Sequence, residues 1–317
     1  MVRFVGHAIR HLYRRERWPA PLRRLLVAEG MCEFYRTLAR GLARPLALAR
    51  AGADGAAEPD GRARRAAAEE LLSQLSVRMF ARRYAILRRE HASLPALEDE
   101  PRALALLMSQ LYLVDLAPRS AWIFAALGGP ARGLGERWRA RQLGAPLDAE
   151  ACWRELTVHL GEVLVVLTQE LPAHLPHARR VLGDICFVSG QRYAGHFRRL
   201  FALAGERGAD PAALAIEVLR TSEYLYRVNP EHWGGTDAAA RTGYLEGTAC
   251  PWYTEPGWEA GHCGIFGRFQ AGVCAEFGLG YALTSTIPKH GGATCRVDLK
   301  PLPAERLRRP KAAALST

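Results

Sequence analysis

The chain has 317 residues, 49% of them hydrophobic and 24% charged, which excludes an intrinsically disordered protein and leaves room for one large domain or two ordinary ones. The formal net charge of +11 invites a nucleic-acid reading. The excess is mostly arginine and concentrates in "IRHLYRRERWPAPLRR" and "ERLRRPK", the pattern of solvated faces in an Ala-rich chain, so no nucleic-acid partner is expected.

At the start, "MVRFVGHAIRHLYRRER" has no apolar core ending at a small-residue cleavage site. No run of 18 apolar residues follows, so no integral membrane segment is expected. Phe4, Val5, Ala8, Ile9 and Leu12 share one helical face, read as docking on the rest of the domain. The cysteine count is seven, an odd number in a large chain, which suits reduced thiols and a cytoplasmic location.

Residues 1 to about 205 read as helices. "ARRAAAEELLSQLSVRMFARRYAILRRE", "ACWRELTVHLGEVLVVLTQEL" and "HARRVLGDICFVSGQRYAGHFRRLFALAG" carry apolar residues at three- and four-residue spacing. "AGADGAAEPDGRA" (51–63) reads as a loop and "ALGGPARGLG" (126–135) as a second break. After about 213 the texture changes. "IEVLRTSEYLYRVN" (216–229) moves from helical spacing into a β-prone run, and "EHWGGTD" (231–237) reads as a loop. "ARTGYLEGTACPWY" (240–253) alternates as a strand, with Tyr244, Glu246, Thr248 and Cys250 on one face and Leu245, Gly247 and Ala249 on the other.

A helix is predicted from about Pro256 to Phe277, then strands "GYALTSTIP" (280–288) and "ATCRVDLKP" (293–301) joined by a hairpin at "PKHGG". The fold class is therefore α+β: a helical N-terminal region (1–150), and a small-molecule domain (151–317) with a C-terminal antiparallel four-stranded sheet backed by a helix.

Within "EAGHCGIFGRFQAGVC" (259–274), helical geometry puts Glu259, Cys263, Phe266, Gln270, Cys274 and Phe277 on one stripe. Cys263 and Cys274 are then about 16 Å apart along the axis, too far for a shared metal or a disulfide. The glycines at 261, 264, 267 and 272 weaken an isolated helix, so the helix either packs tightly on the sheet or borders a small-molecule cavity. The cysteines between 250 and 295 include no C-x-x-C and no histidine pair at zinc spacing, so no metal is expected. No phosphate loop, no serine-hydrolase elbow and no cofactor is expected either.

"CPWY" at 250–253, "TSTIPKHGG" at 284–292 and "ATCRVDL" at 293–299 resemble the L-2-amino-thiazoline-4-carboxylic acid hydrolase family, itself similar to 4-vinyl-reductase-type domains. The resemblance covers the C-terminal portion of the chain. It implies a Cys-Pro-x-Tyr element, a helix with a Phe-Cys-x-x-Asp core, a strand ending near Thr286, and a cysteine, Cys295, in the last strand. Here the helix reads "FGRFQ": Gly267 replaces the thiol and Gln270 the acid, and an amide is no carboxylate base.

The expected function is that of a small-molecule enzyme of specialised metabolism resembling a cyclic C–N or C–S bond hydrolase. Cys250 or Cys263 is the candidate nucleophile, Glu259, His262 or His290 the proton carrier, and Gln270, Phe266, Tyr253 and Thr286 the substrate contacts. A nucleophilic thiol needs a depressed pKa. The alternatives are a cyclase or isomerase acting as a shaped template, and a catalytically silent binding module. The expected partner is a small-molecule substrate; a homodimer is left open.

Overall fold

The computed structural model describes residues 11, 18–54, 60–97, 100–113, 118–203, 209–226, 231–287 and 293–303. The apolar face at residues 4–12, the "PKHGG" hairpin with His290, and the "ERLRRPK" tail lie outside them, apart from Ile287 before the hairpin and Ala293 after it. The chain divides into two compact units, Ala20–Val181 and residues 182–303 with Trp18 and Pro19. The division falls at Val181/Leu182, inside a helix; the sequence reading sets the domain boundary at 150/151.

The first unit is helical: α1 (Ala20–Asp54), α2 (Gly61–Glu90), α3 (Pro101–Leu111), a 3₁₀ segment (Pro118–Leu127), α4 (Gly133–Leu143) and α5 (Ala149–Glu170). Helix starts follow local chemistry. Asp60 and Asp148 accept the Ala63 and Ala151 backbone N–H groups, each at 2.8 Å, and Pro101 opens α3. The predicted break at 126–135 is present, with Gly128, Gly129 and Gly133 at positive φ. The loop expected at 51–63 is shorter, since α1 runs to Asp54 and α2 begins at Gly61. Helices α1, α2 and α5 pack around Tyr35, Met79, Phe80, Tyr112 and Phe124, all fully buried. Two charged residues cross this core as a pair, Arg83 Nε donating to Glu155 at 2.8 Å.

In the second unit, α6 (Ala178–Leu203) and α7 (Pro211–Tyr226) precede β1 (His232–Asp237) and β2 (Thr242–Gly247). Then come α8 (Ala260–Glu276), β3 (Leu279–Ser285) and β4 (Cys295–Pro301). The sheet order is β1-β2-β4-β3, antiparallel throughout, and the fold is α+β as expected. Leu245, Leu279, Val297 and Leu299 turn one sheet face onto Phe197, Leu219, Val273 and Cys274 of the helices. On the opposite face Arg296 lies over the Tyr244 ring and pairs with Glu246 and Asp298.

The first strand differs from the prediction. The β-prone run 216–229 is helical through Tyr226, and "EHWGGTD" supplies β1 in its place. Tertiary packing overrides propensity here. In α7 the Thr221 and Ser222 hydroxyls donate back to the Glu217 and Leu219 carbonyls, at 2.9 and 2.8 Å. In the hairpin, glycine hides the strand signal but permits the packing. A Cβ on Gly243 would meet the tip of the Ile216 side chain at 2.7 Å and the Gly235 carbonyl oxygen at 3.1 Å, so glycine lets α7 lie this close without displacing either. Among the described residues no helix is long and apolar enough to cross a membrane.

Candidate functional site

The second unit contains a pocket between α7, α8, the sheet and the segment that joins β2 to α8, with about 480 Å³ of space outside protein atoms, part of it open to solvent. Helix α8 contributes Cys263, Phe266 and Gln270, three members of the predicted stripe. A fourth, Cys274, belongs instead to the fully buried core, so the helix separates the two thiols as its geometry requires.

Strand β2 ends at Gly247, and the chain then turns through 251–254. Cys250 is thereby removed from the Tyr244 and Glu246 face where alternation had put it, and it lines the pocket. The same segment delivers Trp252 and Trp258. Their rings lie 5.0 Å apart, and Trp252 meets Phe266 edge-on at 4.8 Å. Leu283 and Thr286 both reach the pocket although strict alternation would put them on opposite faces. A bulge between Leu283 and Ser285 re-aims the strand end. Cys295, the last-strand cysteine of the resemblance, is half-buried at the pocket and accepts the Ile287 backbone N–H at 3.3 Å.

Three predicted residues are not brought to the pocket. Tyr253 follows Trp252 in the turn but is half-exposed and does not line the pocket. Glu259 is the exposed N-cap of α8 and forms a capping box with His262, whose Nδ1 accepts the Glu259 backbone N–H at 3.0 Å. His262 is buried and stacks on Trp258, which holds its ring as a helix cap outside the pocket lining. His290 lies outside the described residues.

The residue that sequence reasoning missed is Glu223. It is 2% exposed, sits on α7 and lines the pocket. Gln270 Nε2 donates to Glu223 Oε1 at 3.0 Å, and the Tyr281 hydroxyl donates to Gln270 Oε1 at 2.6 Å. Burial pushes the Tyr281 pKa well up, which keeps its hydroxyl a donor and so fixes the amide with its N–H toward the carboxylate. Gly267 makes room for this chain. A Cβ there would stand 3.1 Å from the Tyr281 oxygen. A signal for Glu223 existed: it falls one turn after Leu219 and two after Ile216, an acid on the apolar stripe of its helix.

All three pocket thiols are held protonated. Burial pushes Cys250 up to about 12. Burial also raises Cys263, against the pull of the neighbouring Trp258 side chain, and raises Cys295 against the Ile287 N–H. Among the described residues that line the pocket, none is Lys, Arg or His, and Glu223 is the carboxylate. No group of three or more His, Cys, Asp or Glu side chains among the described residues is arranged to hold a metal ion.

The arrangement can therefore bind through aromatic faces, soft neutral sulfur and one carboxylate, and it can move a proton at Glu223. No family model, curated protein or solved structure matches the chain.

Proposed function

We propose that the second unit binds a compact organic cation, of the amidine or amine class, and shifts a proton on it through Glu223 without a covalent intermediate. The observation that carries this reading is a carboxylate at 2% exposure on the wall of an aromatic pocket. In a low-dielectric pocket a carboxylate attracts a cation more strongly than it does in water. A cation over Trp252, Trp258 and Phe266 gains from the ring faces as well as from Glu223. The carboxylate can accept a proton from a carbon or nitrogen next to the cationic centre and return it at another position, which isomerises or closes a ring with no net change in composition.

This favours the template-type isomerase or cyclase over the hydrolase. A hydrolase of the resembled kind implies a thiol at 267 and an acid at 270. Here the first is glycine with Tyr281 beside it, and the second is an amide that relays to an acid on another helix. The thiols that line the pocket are neutral where a nucleophile has to ionise.

Thermal denaturation with a panel of small amidines, guanidines and alkylamines against uncharged isosteres tests the reading. The expected result is a rise in Tm with cations alone, lost in Glu223→Gln. Equal stabilisation by the neutral isosteres, or by cations in the Glu223→Gln protein, refutes it. Stabilisation without conversion of any bound cation identifies a silent binding module.

A further inference from the structure

We propose that α4, in the helical unit, docks the protein on an anionic lipid surface, with Leu134 and Trp138 entering the interface. Leu134 is 86% exposed and Trp138, one turn later, 66%. Scattered exposed apolar residues are ordinary, but this helix exposes its largest side chain. It turns Ala140, at 1% exposure, and half-buried Leu143 inward, and leaves Trp138 and Leu134 outward as neighbours one turn apart.

At about 100° per residue, Leu134, Trp138 and Arg141 lie within roughly 60° of one another, and Arg137 flanks Leu134. Arg132, Arg137, Arg139 and Arg141 are all exposed. The single acid of the helix, Glu136, points away from this face. It is tied to the Arg102 guanidinium and accepts the Arg132 backbone N–H at 2.8 Å. The outer face of the helix thus carries Leu134 and Trp138 beside Arg137 and Arg141, with the helix's one acid turned away from it.

Two arguments select the occupant. Two side chains offer far less than the roughly 800 Å² per partner that a stable protein interface buries, which disfavours a second copy. A lipid surface needs no such area: Trp and Leu insert at headgroup depth, and the arginines meet phosphates. Each basic residue near an anionic surface strengthens partitioning by roughly five-fold. The net charge of +11 acts in the same direction.

The test is co-sedimentation of the full chain with vesicles of phosphatidylglycerol and phosphatidylcholine in equal parts, and with phosphatidylcholine alone. Binding to the anionic vesicles is expected to be at least about ten-fold stronger, and to weaken as salt is raised. Leu134→Ser/Trp138→Ser should lose about ten-fold or more with an unchanged Tm, since both side chains are exposed. Absence of binding to anionic vesicles, or binding undiminished in the double variant, overturns the proposal. So does a concentration-dependent dimer that the double variant abolishes, which would give the face to a second copy.

Discussion

Gly272→Ala is expected to destabilise the second unit by about 3 kcal/mol and to lower its Tm by roughly 10 °C. The cause is a backbone-on-backbone crossing of α6 and α8. A Cβ on Gly272 would come within 2.9 Å of the Phe187 carbonyl carbon and closer still to its oxygen. The contact is reciprocal, for a Cβ on Gly190 would come within 2.8 Å of the Phe269 carbonyl carbon. Neither neighbour is a flexible side-chain tip, so the helices themselves must separate. Gly190→Ala should therefore match Gly272→Ala. Gly264→Ala, on the same helix but with nothing within 4 Å of the added Cβ, should stabilise by about 0.5–1 kcal/mol through helix propensity alone. Chemical denaturation of the three variants measures all three values. Equal and small effects at 264 and 272 would remove the close crossing from the account.

Acid should destabilise the helical unit through His159, on α5. This imidazole is 1% exposed, faces the Phe80 and Tyr112 rings at 5.4 and 5.8 Å, and has no hydrogen-bond partner at either nitrogen among the described residues. Burial, with the Arg83 charge second, lowers its pKa from 6.5 to about 3. The unfolded chain therefore takes up a proton below pH 6.5 that the folded chain refuses until about pH 3. The stabilising contribution is complete above pH 6.5 and is lost as pH falls, at about 1.4 kcal/mol per pH unit between the two values.

Glu162, whose pKa burial raises, acts in the opposite sense, so a comparison of variants isolates His159. His159→Leu should be near neutral at pH 7, because it removes two unsatisfied nitrogens at similar volume. At pH 4.5 it should be more stable than the parent by about 2–3 kcal/mol. Urea unfolding at both values checks this. A pH dependence unaltered by His159→Leu would contradict the buried neutral state.

The sheet, its backing helix and the stripe on α8 were legible because alternation and helical spacing repeat over many residues. Leu245 faces inward, opposite Tyr244 and Glu246, as alternation puts it. The first strand was not legible, because Gly234 and Gly235 erase the side-chain alternation that marks a strand, while β-branched and aromatic residues in α7 imitate one. The pocket was half legible. Cys263, Phe266 and Gln270 follow from one helix, whereas Cys250 and Thr286 reach the pocket only through a turn and a bulge that spacing does not encode. Glu223 lies 47 residues from Gln270 in sequence, and an acid on an apolar stripe was the only trace of it. The Phe-Cys-x-x-Asp comparison identified what was absent at 267 and 270, but not that α7 brings a carboxylate to the same place.

The proposed function assigns the pocket's proton transfer to Glu223 and leaves its thiols neutral. The pH profile of iodoacetamide alkylation at Cys250 and Cys263, read by peptide mass spectrometry, tests it directly, because a profile separates ionisation from access. Rates far below that of a free thiol at pH 7, rising without a plateau beyond the free-thiol pKa of about 8.5, are the expected result. A plateau below about pH 8 at either cysteine would establish a thiolate and contradict a neutral-thiol pocket.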